Sequence, residues 1–225
     1  MRQLTLDTET TGLLPEKGHR IIEIGVVEIF KRQITNNNFH TFCNPRRDID
    51  QGAFEVHGIS TEFLSDKPEF SSVVGNFLDF VKESQLFIHN APFDVSFLDK
   101  ELSICGLKNI NYYCDVVDTL ELSRKKYPGK KNSLDALCER LKIDNSHRNL
   151  HGALLDSQLL AEVYLAMTRG QEILNYESNN EIKSVLKDSD RLKLKINYKP
   201  KIFFASEDEN LDHKKFLEYI NNEKI

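Results

Sequence analysis

The stretch "LTLDTETTG", residues 4–12, carries two carboxylates on a segment with the composition of a buried strand. Asp7 and Glu9 are two positions apart, so in a strand both side chains project from the same face. Ionised carboxylates are rarely buried without a partner, because removing them from water is expensive. Two interpretations are open: the pair lies at a solvated strand edge, or it meets a hard cation such as Mg²⁺.

Size and composition predict a globular protein with one sizeable core and an appendage, since 40% of the 225 residues are hydrophobic and 29% are charged. The formal net charge of -5 disfavours a broadly basic DNA-coating protein, so a polyanionic partner needs a local patch or bound cations. No apolar run reaches membrane-spanning length, and the N-terminus does not resemble a secretory signal. We therefore expect a soluble, cytoplasmic protein with no membrane partner.

Four cysteines are spaced widely, without a C-x-x-C pair and without histidines at zinc-finger spacing. This spacing argues against a disulfide framework and against a structural zinc site, and it fits a reducing cytosol. The four residues are Cys43, Cys105, Cys114 and Cys138.

Residues 1–170 are predicted to form one α/β domain. The segments "LTLDTET", "RIIEIGVVEIF" and "NFHTFCNP" are rich in strand-forming residues and predict an antiparallel meander. Strands and helices then alternate. Helices are predicted in "SSVVGNFLDFVKE", "APFDVSFLDKELSI", Leu120 to Lys125, "SLDALCERLKI" and "ALLDSQLLAEVYLAM", and strands in "SQLFIHN" and "INYYCDVVDT".

The composition changes after Arg169. Residues 171–195 are polar and predict a flexible linker. Residues 196–225 recover apolar side chains, too few for a core of their own, which favours a segment that folds against a partner protein. The alternative is a tail that docks on its own domain.

Two further segments extend the acidic set. Asp94, in "HNAPFD", follows a predicted buried strand at a point where sheets present ligands, although an Asp in a first helical turn also interacts favourably with the helix dipole. In "HGALLD", His151 precedes a helix that carries Asp156 at an apolar border. His151 could equally cap the helix while Asp156 is exposed. Four carboxylates and one histidine are what a two-metal phosphodiesterase needs.

The segments "DTET", "HNAPFD" and "HGALLD", in this order and spacing, resemble the three motifs of the DEDDh superfamily of 3′→5′ exonucleases. Within it, residues 1–170 are similar to the family of epsilon, or proofreading, subunits of bacterial DNA polymerase III, with "IIEIGVVEI", "AFEVHGI" and "PGKKNSLDALC" as supporting stretches. The resemblance implies an RNase H-like fold, a five-stranded mixed sheet flanked by helices with the acidic residues at one end.

The resemblance also implies roles for the acidic residues. Asp7, Glu9 and Asp156 would bind one divalent ion, Mg²⁺ or Mn²⁺, and Asp7 with Asp94 would hold a second. His151 would be the general base. The expected product is a 5′-nucleoside monophosphate from a single-stranded DNA 3′ end, formed without a covalent enzyme intermediate.

Further positions would touch the terminal nucleotide by the same resemblance, beside the metal-binding carboxylates Asp7, Glu9 and Asp156. Thr10 and His57 would contact it from two sides, and Phe93 and Val56 would stack against or wedge the terminal bases, unless they only pack in the core. Gly52 departs from the family pattern, because relatives commonly have an acidic residue there. The side-chain contact at this point is therefore lost.

Three partners follow from the resemblance. The peptide "QEILNY" is similar to segments that bind the sliding clamp (beta), with Gln171, Leu174 and Tyr176 as anchors; the alternative is a fraying helix end. Residues 196–225 would tether the chain to the polymerase (alpha) subunit. Members of this family often bind a small third subunit (theta), for which the residues give no independent reason.

Two other functions compete with proofreading. An RNA-trimming DEDDh exonuclease would share the acidic residues and metals but would need neither a clamp peptide nor a polymerase-binding tail. A non-catalytic adaptor that links clamp and polymerase would have no chemical need for the five catalytic residues.

Overall fold

The computed structural model describes residues 2–146, 148 and 150–169. Five strands form one mixed sheet in the order β3-β2-β1-β4-β5. β1 pairs antiparallel with β2, and β2 with β3, whereas β1, β4 and β5 run parallel. The expected meander and five-stranded mixed sheet are confirmed. The strands are β1 (Arg2–Thr10), β2 (Ile21–Phe30), β3 (Gln33–Phe42), β4 (Ser84–Ile88) and β5 (Asp115–Asp118).

Helices flank this sheet on both faces. Within the described ranges they are α1 (Gln51–His57), α2 (Thr61–Leu64), α3 (Phe70–Val81), α4 (Ala91–Ile104), α5 (Thr119–Lys126), α6 (Leu134–Leu141) and α7 (Ala153–Met167). Short 3-10 turns lie at Pro15–Lys17 and Ile110–Tyr112.

The structure corrects the predicted strand over residues 110–119. Its first part is a 3-10 turn, and only Asp115–Asp118 pair with β4. The backbone N–H of Ile110 donates to Oδ1 of Asp99 at 2.7 Å, which anchors the turn to α4. The third strand also begins earlier than predicted, because β3 starts at Gln33 and the predicted segment starts at residue 38.

The main hydrophobic core lies between the sheet and helices α3 and α4. Alternate residues of β1, such as Leu4 and Leu6, are fully buried in it beside Phe77 and Phe97. The opposite face of the sheet is covered by α7, whose other side packs on α6 through Leu159. Because α7 is covered on two sides, most of its residues are buried or half-buried.

α7 lies directly against the backbone of β2. A Cβ atom at Gly25 would come within 2.3 Å of the Ala153 carbonyl carbon, so only glycine permits this approach. Ser157 Oγ donates to the Gly25 carbonyl at 2.7 Å, and Thr5 Oγ1 donates to the Ser157 carbonyl at 2.8 Å. These contacts fix the helix that carries Asp156 relative to the strand that carries Asp7 and Glu9.

Several sequence expectations concern other parts of the chain. The linker, the clamp peptide with Gln171, Leu174 and Tyr176, and the polymerase-binding segment lie outside the described residues. All four cysteines are free. In the part of the chain that the structure describes, no helix combines the length and apolarity needed to cross a membrane.

Candidate active site

One cavity of about 530 Å³ lies where β1, α1, α4 and α7 meet. It brings together every residue that the sequence singled out within the domain. Those lining residues are Asp7, Glu9, Thr10, Gly52, Val56, His57, Phe93, Asp94, His151 and Asp156. Their convergence from distant segments is what a common site requires.

β1 supplies two carboxylates on its α7-facing side. Asp7 and Glu9 alternate with inward-facing core residues, and Glu9 is only 8% exposed. Burial raises the pKa of Asp7 well above its usual range, and the neighbouring charges of Asp94 and Glu9 raise it further. Burial, followed by repulsion from Asp156, raises the pKa of Glu9 to about 8. The site therefore concentrates more negative charge than its own groups offset.

Asp94 reaches the cavity from the first turn of α4. Its Oδ1 accepts hydrogen bonds from the backbone N–H of Thr8 at 3.1 Å and from Thr8 Oγ1 at 2.7 Å. Burial raises the pKa of Asp94 to about 7, which outweighs the lowering effect of these bonds. The bonds tie α4 to β1, so Asp94 does more than interact with the helix dipole.

α7 and the loop before it supply the remaining pair. Asp156 is 3% exposed, and Nδ1 of His151 lies 3.1 Å from its Oδ2. The backbone N–H of His151 donates to the Val56 carbonyl at 3.1 Å, which holds this loop against α1. Ligand atoms of Glu9, His151 and Asp156 all lie within 4.8 Å of one another. The loop position of His151 thus brings it to the face of Asp156.

Arg148 is a member of this site that the sequence did not reveal. Its Nε and Nη2 donate to the two carboxylate oxygens of Asp156 at 2.6 and 2.7 Å. Burial raises the pKa of Asp156, but the adjacent His151 ring and the bonds from Arg148 outweigh it and bring the pKa below its usual value. A single arginine in a loop has no motif, and its position three residues before His151 is the only signal.

Glu23 is a second residue that the sequence did not reveal. It is 4% exposed on β2, and its Oε2 accepts a hydrogen bond from the backbone N–H of Ala153, the first residue of α7, at 3.1 Å. Its Oε1 lies 2.7 Å from Nε2 of His40. Glu23 therefore fixes the start of the helix that presents Asp156. The sequence does not indicate this contact, because Glu23 and Ala153 are 130 positions apart.

The residues predicted to touch the nucleotide line the same cavity in different states of exposure. Thr10 is buried and Oγ1 donates to the Gly12 carbonyl, whereas Val56 is 45% exposed. The Phe93 ring lies 5.1 Å from that of Phe97, so it also packs in the core. A Cβ at Gly52 would meet nothing within 4 Å, so this position opens onto free space.

His57 presents an unused donor. Its Nδ1 accepts a hydrogen bond from the backbone N–H of Ile59 at 3.0 Å, which places the ring hydrogen on Nε2. Among the described residues, buried Nε2 has no hydrogen-bond partner. Burial lowers the pKa of His57, which favours this neutral form. Buried polar groups are normally satisfied, so Nε2 is available to a water or a ligand in the cavity.

The donor set fits a divalent metal ion. Carboxylate oxygens are the ligands that Mg²⁺ and Mn²⁺ prefer. The raised pKa values of Asp7, Glu9 and Asp94 mark carboxylates that lack sufficient countercharge. A cation near these groups would remove that deficit.

Comparison with known proteins places the chain among nucleases of replication. The model of a family described as exonuclease matches residues 4–164. The DNA polymerase III subunit epsilon of Salmonella typhimurium is 47% identical, over 97% of this chain and 93% of the relative. The subunit of Escherichia coli K12 is 45% identical over the same shares, and that of Pasteurella multocida is 53% identical over 80% of this chain and 74% of the relative.

Solved structures agree on the fold. Exonuclease X, in complex with 5′ overhanging duplex DNA, superposes with a TM-score of 0.60 at 26% identity, over 74% of this chain and 90% of that chain. A 3′-exonuclease that recognises a histone mRNA stem-loop gives a TM-score of 0.64 at 21% identity, over 74% of this chain and 63% of that chain, which supports the fold alone. The chain belongs to the exonuclease family and, within it, to the epsilon subunits of DNA polymerase III.

Proposed function

We propose that the chain proofreads DNA during replication: it hydrolyses the last phosphodiester bond of a mispaired primer 3′ end and releases a 5′-deoxynucleoside monophosphate. The observation that carries the proposal is the convergence of four carboxylates and one histidine in one cavity. Membership in the epsilon family supports DNA as the substrate and polymerase III as the setting, in the cytoplasm.

Two divalent cations, Mg²⁺ or Mn²⁺, are the cofactors that this donor set fits. Asp7, Glu9 and Asp156 would hold one, and Asp7 together with Asp94 would hold the other. When bound, the cations supply Lewis acidity at the scissile phosphate and offset the negative charge of the site and the substrate.

His151 acts as the general base. Its side chain is 43% exposed, so solvent water reaches the ring. A neutral imidazole can take the proton from the attacking water. The bond from the His151 N–H to the Val56 carbonyl restrains the backbone from which the ring projects.

The terminal nucleotide occupies the part of the cavity beside α1. His57 donates its free Nε2–H to the nucleotide, and Thr10 contacts it from β1. Val56 and Phe93 offer apolar surface to the terminal bases, where stacking on an aromatic ring contributes about 1–3 kcal/mol per base. Gly52 leaves its side of the nucleotide without a side-chain contact.

The C-terminal quarter of the chain, residues 171–225, connects the exonuclease to its partners. The sliding clamp binds a peptide anchored by Gln171, Leu174 and Tyr176. This peptide lies within a flexible linker, residues 171–195, and the polymerase subunit binds residues 196–225. A short tether raises the local concentration of the exonuclease at the primer end to about millimolar, so weak intrinsic DNA affinity suffices.

The proposal is tested with end-labelled single-stranded DNA, a mismatched primer-template, a paired primer-template and single-stranded RNA, each with Mg²⁺ or Mn²⁺. We expect release of 5′-deoxynucleoside monophosphates, faster from the mismatched end than from the paired end. Preference for RNA would favour a trimming enzyme instead. Inactivity on every substrate would favour an adaptor.

The matched variants are His151→Ala and Asp79→Asn. His151→Ala removes the general base and should abolish most of the hydrolysis. Asp79 is 75% exposed on α3 and pairs with Lys82, so Asp79→Asn changes one carboxylate outside the cavity and should retain full activity.

A further inference from the structure

The guanidinium of Arg148 contacts three side chains at the candidate site, those of Asp156, His151 and Asp135. Arg148 uses Nε and Nη2 to bind both carboxylate oxygens of Asp156, and Nη2 also lies 2.8 Å from Nδ1 of His151. A guanidinium only donates, so Nδ1 accepts this bond with its lone pair. The third nitrogen, Nη1, donates to Oδ1 of Asp135 on α6 at 2.5 Å.

This contact is buried. The side chain of Arg148 is 8% exposed and that of Asp156 is 3% exposed. Paired, charge-assisted bonds from an arginine fork to a carboxylate are among the strongest hydrogen bonds in proteins, and burial protects them from screening by salt. The Arg148–Asp156 pair is therefore a stable feature of the metal-free site.

The same atoms are those that a metal ion needs. Glu9, His151 and Asp156 place one ligand atom each within 4.8 Å of the others. A divalent cation at Asp156 would sit against the guanidinium, and two cations at such close range repel each other strongly. Binding of the metal and the present position of Arg148 exclude one another.

We propose that Arg148 is a built-in substitute for the metal ion, which neutralises Asp156 in the metal-free protein and must leave Asp156 and His151 before the metal site is complete. The inference rests on the proposed function, because it requires a divalent cation at Asp156. One displacement then frees both a metal ligand and the lone pair of the general base.

Asp135 gives the displaced arginine a second anchor. It is 61% exposed and already bonded to Nη1, so Arg148 keeps an ion pair when it leaves Asp156. Asp135 therefore lowers the cost of displacement. Its removal should hold Arg148 more tightly on Asp156 and oppose metal binding.

The test measures metal affinity without catalysis, by calorimetric titration of the 225-residue chain with Mn²⁺ and Mg²⁺. The variants are Arg148→Gln, Arg148→Lys, Asp135→Asn and the double variant of Arg148→Gln with Asp135→Asn. Arg140→Gln is the matched control, since Arg140 lies on α6 itself but bonds to Asn132 and to the Lys131 carbonyl.

We expect Arg148→Gln to bind Mn²⁺ about tenfold more tightly than the wild type, and Arg148→Lys, which keeps the charge but cannot bind Asp156 in a fork, to lie between the two. Asp135→Asn should bind Mn²⁺ more weakly. In the Arg148→Gln background, Asp135→Asn should have little further effect, which separates displacement from a general change of charge. Arg140→Gln should match the wild type.

Thermal unfolding gives an independent readout. In EDTA, Arg148→Gln should unfold at a lower temperature than the wild type, because Asp156 is left buried without its partner. Saturating Mn²⁺ should then raise the Tm of Arg148→Gln by more than it raises that of the wild type.

The outcomes separate the two proposals. A wild-type chain that binds neither Mn²⁺ nor Mg²⁺ would overturn the metal assignment in the proposed function, and the inference with it. Metal binding by the wild type, with equal or weaker affinity in Arg148→Gln, would overturn the inference alone and leave the proposed function intact.

Discussion

The two halves of the acidic site differ in how their charge is balanced. On the side of β1 and α4, burial and mutual repulsion raise the pKa values of Asp7, Glu9 and Asp94. On the side of α7, burial also raises the pKa of Asp156, but the adjacent His151 ring and the bonds from Arg148 bring it below its usual value. The fold thus supplies the Arg148 guanidinium to the α7 side and leaves the β1 and α4 side without enough positive charge.

This difference teaches that the site is not a uniform cluster of metal ligands. The β1 and α4 carboxylates are destabilised until a cation arrives, which favours metal binding there. Asp156 has to exchange one cation for another. The same kind of side chain therefore makes opposite contributions to the stability of the metal-free protein.

The largest expected effects come from Asp7→Asn and Asp156→Asn. Each should lower hydrolysis by more than about a hundredfold, because even outer partners of a metal site typically contribute 10- to 100-fold. In EDTA their stabilities should diverge. Asp7→Asn should raise Tm by relieving repulsion, whereas Asp156→Asn should lower Tm by several degrees, at about 2–4 °C for each kcal/mol.

Exonuclease assays and thermal melts of the two variants check this prediction side by side. Asp79→Asn serves again as the control and should leave both quantities near wild type. A lower Tm for both Asp7→Asn and Asp156→Asn would mean that the two halves are balanced alike.

The second effect is a pH dependence confined to the metal-free protein. The folded pKa values of Glu9, about 8, and Asp94, about 7, exceed the ordinary values of 4.5 and 3.8, so the folded state binds more protons than the unfolded state. Their contribution to stability is complete below about pH 4 and is lost as the pH rises to about 8. In EDTA, Tm should therefore fall over this window.

Thermal melts at a series of pH values, with EDTA and with Mg²⁺, measure this slope. Mg²⁺ should restore Tm most strongly at the alkaline end, where the carboxylates are ionised. Glu9→Gln should flatten the slope in EDTA, because it removes one of the groups that titrate. A slope unchanged by Glu9→Gln would place the titrating groups elsewhere.

A smaller effect is expected at Glu23, which fixes the start of α7. Glu23→Ala leaves the buried N–H of Ala153 without an acceptor and should reduce kcat by about tenfold, as is typical when a group that orients a metal ligand is lost. Glu23→Gln keeps an acceptor oxygen and should recover most of the activity. Steady-state kinetics of both variants distinguishes two roles of Glu23. If Glu23 positions α7, Glu23→Gln should recover kcat; if Glu23 only adds stability, the two variants should have the same kcat.

The smallest expected effect is a change of stability at Gly75, which lies outside the cavity and serves as a reference for the cavity variants. Gly75 lies on the exposed face of α3, where an added Cβ meets nothing within 4 Å. Gly75→Ala should stabilise the chain by about 0.5–1 kcal/mol through helix propensity. The rise in Tm should be the same with EDTA and with Mg²⁺ and at every pH, in contrast to the cavity variants.

The sequence predicts those parts of the fold that depend on local pattern. The β-branched run of β2, the short apolar run before Asp94 and the leucine-rich run after His151 mark these elements by their composition, and the spacing of the acidic motifs indicates the sheet edge at which they meet. Helices α1 and α2 were not predicted, because segments of seven and four residues are too short to show a helical period. The strand that contains β5 was predicted too long, because the apolar residues before Asp115 form a 3-10 turn instead.

The candidate site was predictable only where a motif marks it. Asp7, Asp94 and Asp156 lie in segments that resemble known motifs, whereas Arg148 and Glu23 act through contacts with residues distant in sequence or across a loop. Charge balance inside a cavity depends on which side chains meet in three dimensions. No pattern along the chain encodes the pairing of Arg148 with Asp156.

The docking of α7 on Gly25 has a consequence for the biosynthesis of the chain. The bonds from Ala153 to Glu23 and from Ser157 to the Gly25 carbonyl join residues 130 and 132 positions apart. Chains emerge from the ribosome N-terminus first, so β1 and β2 are exposed long before α7 exists to cover them. The nascent protein therefore carries Asp7 and Glu9 before it carries His151 and Asp156, and under the proposed function an unfinished copy would lack the complete site.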